Sequence, residues 1–283
     1  MNYRHAFHAG NFADVFKHCV LVALIEALKR KPGPFCYIET HAGCGLYDLH
    51  ASEALRSPEH LDGIERLLRA GEKTPVLQCY VDLVRDLNPC GADKLDVYPG
   101  SPLISIRLMR GADRAVLCEI EADEATQLKE LFRGDARVAV HRTDGYLALK
   151  GFLPPHPRRG LVLIDPPYER QESEFECIEH ALDPALERWP NGIYAIWYPV
   201  KMRRALAPFQ RWLAALSRSR EILITELTVR PPRSSLRLNG SGMAIINPPW
   251  NLEDTLRSTL PILLRALDQG GGECLIDRLD RQR

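Results

Sequence analysis

The chain has 283 residues, 45% hydrophobic and 26% charged, with 37 basic and 37 acidic side chains. That usage excludes disorder and collagen-like structure as the main state, and the zero formal net charge excludes a strong global field toward polyanions. A chain near 300 residues can bury roughly 75% of its unfolded surface, so one large domain, or one domain carrying an insertion, is expected.

The eight cysteines, at 19, 36, 44, 79, 90, 118, 177 and 274, show no C-x-x-C pair and no metal spacing. Several sit inside apolar runs, as reduced core thiols do, which points to the cytoplasm rather than a disulfide framework. The polar, aromatic N-terminus has no secretory h-region. The longest apolar stretch, Cys19 to Ile25, is far too short to span a bilayer, so no membrane partner is expected.

In chain order, Asn11 opens a helix running to about Arg30, with Lys29-Arg-Lys31 suiting the dipole at its end. Pro32-Gly-Pro34 stops it. Phe35 to Thr40 is a short β-rich run ending in His41-Ala-Gly-Cys-Gly45, a strand followed by a glycine turn. Residues 48–98 differ in character. Two helical patterns, about 59–70 and 75–87, are broken by Ser57-Pro58, Thr74-Pro75 and Asn88-Pro89, with no convincing strand. This stretch reads as a small helical insertion. Alternation then resumes: helix 101–110, strand 114–120, helix 123–132, strand 137–140, helix 144–150 and strand 161–164. Helix 173–188, strand 193–197 and helix 201–216 follow, then two strands, 221–228 and 243–246, with only a loop between them. That loop implies an antiparallel pair at the end of the sheet. The other connections imply right-handed crossovers and a doubly wound α/β sheet.

Ligands in such a sheet bind at the carboxyl ends of its strands. The first strand delivers Gly43 and Gly45, which permit a tight turn and close backbone approach; a plain turn would read the same way. Position 48 is Asp rather than the third glycine of a dinucleotide fingerprint, which argues against a pyrophosphate cofactor. The second strand ends in Glu119, an acid able to accept both ribose hydroxyls or simply to open a helix. The third delivers Asp144-Gly145, either a helix N-cap or a contact to an adenine edge. The fourth ends in Asp165-Pro166-Pro167-Tyr168. Two prolines after a buried strand forbid helix and sheet alike and force a stiff turn that projects Asp165 and the Tyr168 ring.

The chemistry of that turn is specific. The exocyclic amine of adenine is a poor nucleophile because its lone pair is delocalised into the ring. A carboxylate at Asp165 and the carbonyl of Pro166 can accept its two hydrogens and draw the nitrogen toward tetrahedral geometry. The Tyr168 ring can hold the base by stacking once it has left any helix. Attack on a sulfonium methyl then needs positioning more than acid–base work.

Charge is uneven locally. Residues 165–187 hold eight acids and one base, and residues 201–237 nine bases and two acids. Two solvated helix faces would give this pattern, and so would a phosphate-contacting strip, which the Pro/Ser/Arg loop at 230–237 favours. His5-x-x-His8 lacks a third ligand for a metal.

These residues resemble S-adenosylmethionine-dependent amino-methyltransferases. Six strings together resemble the bacterial 23S ribosomal RNA adenine-N6 methyltransferase J family: Tyr3 to His18, Thr40 to Gly45, Tyr98-Pro-Gly-Ser-Pro102, Asp165 to Tyr168, Trp197-Tyr-Pro199 and Ser241-Gly-Met to Asn247-Pro-Pro-Trp250. The resemblance implies a Rossmann-like class I methyltransferase with a seven-stranded, mostly parallel sheet whose last strand is antiparallel. It implies a methyltransferase domain of residues 1–47 and 99–283, with residues 48–98 inserted and residues 1–12 closing over the site. It implies S-adenosylmethionine and no metal as cofactor, 23S ribosomal RNA as partner, and a monomer. By position, Asp165, Tyr168, Pro166 and Lys17 would be catalytic. His18, His41, Gly43, Gly45, Ser101, Glu119, Asp144, Gly145 and Asp165 would hold the cofactor, and Tyr3, His5 and Tyr168 would meet the RNA. Asn247-Pro-Pro-Trp250 fits the same motif but follows the last strand, and reads as a structural strand exit. A DNA adenine or protein glutamine methyltransferase, or a non-catalytic RNA-binding module on this scaffold, are the competing readings.

Overall fold

The computed structural model describes residues 5–89, 95–168, 171–231 and 238–279. The Asn11 side chain accepts the amides of Ala13 and Asp14 at 2.9 Å each, and α1 (Phe12–Lys29) starts there. It is buried along nearly its whole length because its apolar residues leave no wet face. β1 (Cys36–Glu39) leads into a short antiparallel ribbon, β2 (Leu46–Asp48) against β3 (Val97–Pro99). Between them lie α2 (Ser52–Arg56), α3 (Ile64–Arg69) and α4 (Pro75–Asp86). The ribbon is the strand pairing that the sequence did not suggest in this stretch, and each arm is only three residues long.

Then follow α5 (Ser101–Leu108), β4 (Arg114–Glu119), α6 (Ala122–Leu131), β5 (Val138–Arg142), α7 (Gly145–Phe152), β6 (Gly160–Ile164) and α8 (Gln171–Arg188). β7 (Ile193–Val200), α9 (Ala207–Leu216), β8 (Ile222–Thr228), β9 (Gly240–Ile246), α10 (Leu252–Leu267) and β10 (Glu273–Leu279) complete the chain. The main sheet has eight strands in the order β10-β8-β9-β7-β6-β1-β4-β5. β5, β4, β1, β6 and β7 pair in parallel. β9 runs antiparallel to both β7 and β8, and β10 antiparallel to β8.

Two expectations change. The β8–β9 pair is not terminal, because β10 pairs along the outer side of β8. An eighth strand, β10, extends the seven anticipated. It is a half-exposed edge strand carrying Glu273, Asp277 and Arg278, so it lacks the apolar run that marks the central strands. The helix before it, α10, hides behind an interior proline, Pro261.

Alternating side chains divide the sheet into two faces. Tyr37, Leu161, Leu163, Ala195 and Ile245 pack in one core with α1, α4, α5 and α10. Ile38, Val162, Ile164, Ile196 and Ala244 pack in the other with α8 and α9. Helices α3 and α4 share the first core through Ile64, Leu67, Leu77 and Tyr80. The chain lays β1, β4 and β5 outward on one side and then returns to β6 and β7 on the other. That reversal opens a crevice at the carboxyl ends of β1 and β6.

Candidate active site

The crevice is a cleft of about 980 Å³, within the range of small-molecule sites. Its floor begins at the turn after β1. Gly43 has φ +61°, a left-handed conformation natural to glycine. Its amide donates to Glu119 Oε2 at 2.8 Å, while the Glu121 amide donates to Oε1 at 2.8 Å. Each carboxylate oxygen of the buried Glu119 thus holds one amide and keeps acceptor capacity. Gly45 is placed differently from Gly43. It does not line the cleft; its φ of +80° and its carbonyl, which accepts the Gly100 amide at 2.9 Å, close the turn behind it.

Asp144 caps α7, Oδ1 accepting the amides of Tyr146 (2.8 Å) and Leu147 (3.2 Å), and also reaches the cleft. Gly145 sits against the Thr40 backbone, where a Cβ would meet the Thr40 carbonyl oxygen at 2.0 Å. His41 Nδ1 is 2.8 Å from Thr40 Oγ1, and its ring meets Tyr146 edge-on at 4.9 Å. Burial pushes the His41 imidazole down to about 4 against the pull of Asp165 and Asp144. Ser101, at the start of α5, donates to Glu39, and Tyr37 Oη donates to the other Glu39 oxygen at 2.7 Å.

The opposite wall comes from α1. Lys17 Nζ lies 2.6 Å from Asp165 Oδ2 and 3.0 Å from Asp14 Oδ1. Burial pulls the Lys17 ammonium down, but Asp14 and then Asp165 raise it above its usual range, so it stays protonated. His18 is fully buried, with Nδ1 2.8 Å from Tyr98 Oη. Its Nε2 has no partner among the described residues. Burial, with Lys17 next to it, holds His18 well below the usual imidazole range. His5 lines the cleft and bonds Asp14 at 2.8 Å; Tyr3 lies outside the described residues.

Asp165, Pro166, Pro167 and Tyr168 line the cleft together. Tyr168 is 5% exposed and takes φ +45°. Its hydroxyl donates to the Trp197 carbonyl at 2.6 Å, and its ring lies edge-on to Phe175 and Trp197 at 5.5 Å each. Trp197 joins the wall, its Nε1 donating to Ser241 Oγ at 2.7 Å.

Of the anticipated basic strip, Lys201 and Arg230 reach the cleft. Arg203 pairs with Glu226, and Arg220 donates to the carbonyls of Leu186 and Pro190, so these two serve the fold. Residues 232–237 of the basic loop lie outside the described residues. Asp14, Glu59, Asp62, Glu124 and Glu174 also line the cleft, carboxylates that sequence reasoning did not place there, while Glu39 sits behind Ser101. For Asp14 a signal existed: it precedes Lys17 by three residues on one helix face.

A cleft at the switch point of such a sheet, with an acid-anchored glycine turn beside an Asp-Pro-Pro-Tyr corner, defines a Rossmann-like methyltransferase. Known proteins carry the identification further. The family model described as "Ribosomal RNA large subunit methyltransferase D, RlmJ" matches residues 32–278. The chain is similar to ribosomal RNA large subunit methyltransferase J of Escherichia coli K12, 41% identical over 96% of this chain and 95% of that protein. It is similar to the protein of the same name from Haemophilus influenzae, 40% identical over 98% of each. A crystal structure of a Legionella pneumophila protein superposes with a TM-score of 0.86 at 35% identity, covering 95% of this chain and 98% of that one. The chain belongs to the RlmJ family of ribosomal RNA large subunit methyltransferases.

Proposed function

We propose that this protein methylates the exocyclic N6 amine of an adenine flipped out of 23S ribosomal RNA, with S-adenosylmethionine as the donor. The observation that carries the reading is the placement of Asp165, at the end of the central strand β6, in one cleft with the Gly43–Glu119 turn. The cleft suits the donor chemically. Glu119 keeps acceptor capacity for ribose hydroxyls, Asp144 and His41 stand on the same side, and the unpartnered buried His18 Nε2 offers a polar contact. When bound, the donor supplies an electrophilic sulfonium methyl.

The rest is positioning. Lys17 occupies Asp165 Oδ2, and Oδ1 takes no bond from the described residues. Oδ1 and the Pro166 carbonyl are then the acceptors for the two amine hydrogens, which localises the nitrogen lone pair. Lys17, held protonated, acts by charge and not as a base. Tyr168 stacks on the base, locked in place by its bond to Trp197. Lys201 and Arg230 meet backbone phosphates at the rim. Residues 1–47 and 99–283 form the methyltransferase domain in this reading, residues 48–98 its insertion, and residues 1–12 the segment that closes the site.

The test is transfer of labelled methyl to transcribed 23S ribosomal RNA, double-stranded DNA and bulk protein in parallel, followed by nucleoside analysis. N6-methyladenosine from the RNA is the expected product. Label confined to DNA or protein would overturn the substrate assignment, and none in any arm would leave only a binding module.

A further inference from the structure

Asp14 lies in the first turn of α1, three residues after the N-cap Asn11 and three before Lys17. An acid at that position commonly caps the helix, and one of its bonds is of that kind: Oδ2 accepts the Gly10 amide at 3.0 Å. A capping acid normally stands in water, whereas Asp14 is 3% exposed. It also holds two side chains that belong to different parts of the site. Oδ2 is 2.8 Å from His5 Nε2, and Oδ1 is 3.0 Å from Lys17 Nζ. Lys17 continues to Asp165 at 2.6 Å. An alternating chain, His5–Asp14–Lys17–Asp165, therefore runs from the N-terminal segment to the diproline corner.

A buried ammonium is tolerated only where opposite charge meets it. Burial pushes the Asp14 carboxyl up, but His5 and Lys17 outweigh it and hold the group well below its usual range. Asp14 exerts the larger charge effect in raising Lys17, and Asp165 the larger hydrogen-bond effect. The place of the Lys17 ammonium is thus set from the Asp14 side as much as from the Asp165 side.

We infer that Asp14 is a positioning residue that couples the docking of the N-terminal segment, through His5, to the placement of Lys17 against Asp165. This rests on the methyl-transfer reading above. Asp14→Asn in the full chain keeps the side-chain volume and an acceptor for the Gly10 amide while removing the charge. A displacement of about 1 Å at a reacting centre can cost on the order of 100-fold, so kcat with saturating RNA should fall by roughly 30-fold or more. The KM for the donor should change less than about threefold, because Asp14 acts on the target side.

A double-mutant cycle supplies the decisive arm. His5→Gln should lower kcat in the wild-type background and add nothing in the Asp14→Asn background. Penalties that multiply, a kcat unchanged by Asp14→Asn, or donor affinity lost in step with kcat would each overturn the coupling. Should Asp14→Asn melt too low to assay, His5→Gln alone decides, since an unchanged kcat there breaks the chain at its first link. A wild type that methylates no adenosine sinks the reaction and this inference together. An active wild type with an indifferent Asp14→Asn sinks the inference alone.

Discussion

The chain carries the diproline motif twice, as Asp165-Pro166-Pro167-Tyr168 after β6 and as Asn247-Pro248-Pro249-Trp250 after β9. Each places a non-glycine residue in the left-handed region, Tyr168 at φ +45° and Asn247 at φ +55°. The surroundings are opposite. Tyr168 is 5% exposed and walls the cleft, whereas Trp250 is 84% exposed. The Asn247 amide donates to Gly192 O at 2.7 Å and Pro190 O at 3.0 Å, the carbonyls just before β7 begins. The cause is strand direction. β9 runs antiparallel to β7, so its carboxyl end lies at the amino ends of the parallel strands. A tetrapeptide that suits amine chemistry becomes a site only when the topology delivers it to the crevice; elsewhere it ties a strand end to a neighbouring loop.

The sharpest way to break this contrast is to remove the polar residue from each corner. Asp165→Ala should lower methyl transfer by about 10³-fold or more, since it deletes an acceptor aimed at the reacting amine. Fold and most donor affinity should survive. Asn247→Ala should leave kcat/KM within about twofold but cost about 1–2 kcal/mol in urea denaturation, from two lost hydrogen bonds and a strained alanine. Comparable activity losses in the two variants would erase the distinction.

Next in size is Lys17→Met, which leaves Asp14 and Asp165 facing each other without the ammonium between them. A drop in kcat of about 10²-fold is expected, with a smaller change in RNA affinity measured by filter binding. Tyr168→Ala follows: loss of stacking should weaken RNA binding by about 1–3 kcal/mol. Tyr168→Phe, which loses only the bond to the Trp197 carbonyl, should cost about 1 kcal/mol of stability and little binding. Equal binding losses in the two would assign the effect to the hydroxyl. Trp250→Ala at the other corner should move neither quantity by more than about 0.5 kcal/mol.

Much of this was legible because its signals are local. The strand and helix periods, the glycine turn and the diproline corner each declare themselves within a few residues, and the known relatives bear out the family that these strings resemble. Long-range pairings were not legible. Lys17 and Asp165 are 148 positions apart, and Ser101 and Glu39 are 62 apart; only sheet order brings them together. Gly43 lines the cleft and Gly45 shapes the turn behind it, a division that two left-handed glycines do not reveal in sequence. β10 was missed because an edge strand with one wet side lacks the continuous apolar run of β6.

The two ends of the sheet should also answer differently to pH. Close to the Asp165 end, burial raises the fully buried Glu39 carboxyl to about 8, against bonds from Ser101 and Tyr37 and the charge of Lys17. In the unfolded chain the same group titrates near 4.5. Between those values the folded protein keeps a proton that the unfolded chain has released, so this group's contribution to stability falls as pH rises from about 4.5 to about 8. Glu39→Gln is isosteric and does not titrate, and it still offers a donor and an acceptor to Ser101 and Tyr37. Its stability relative to wild type should therefore improve steadily from pH 5 to 8, in denaturant titrations, and level off above. Asn247→Ala, whose partners are backbone carbonyls, should show a loss that does not change with pH. A pH-independent difference for Glu39→Gln as well would mean that water reaches Glu39, and that the floor beneath Ser101 is no drier than the solvent-facing corner after β9.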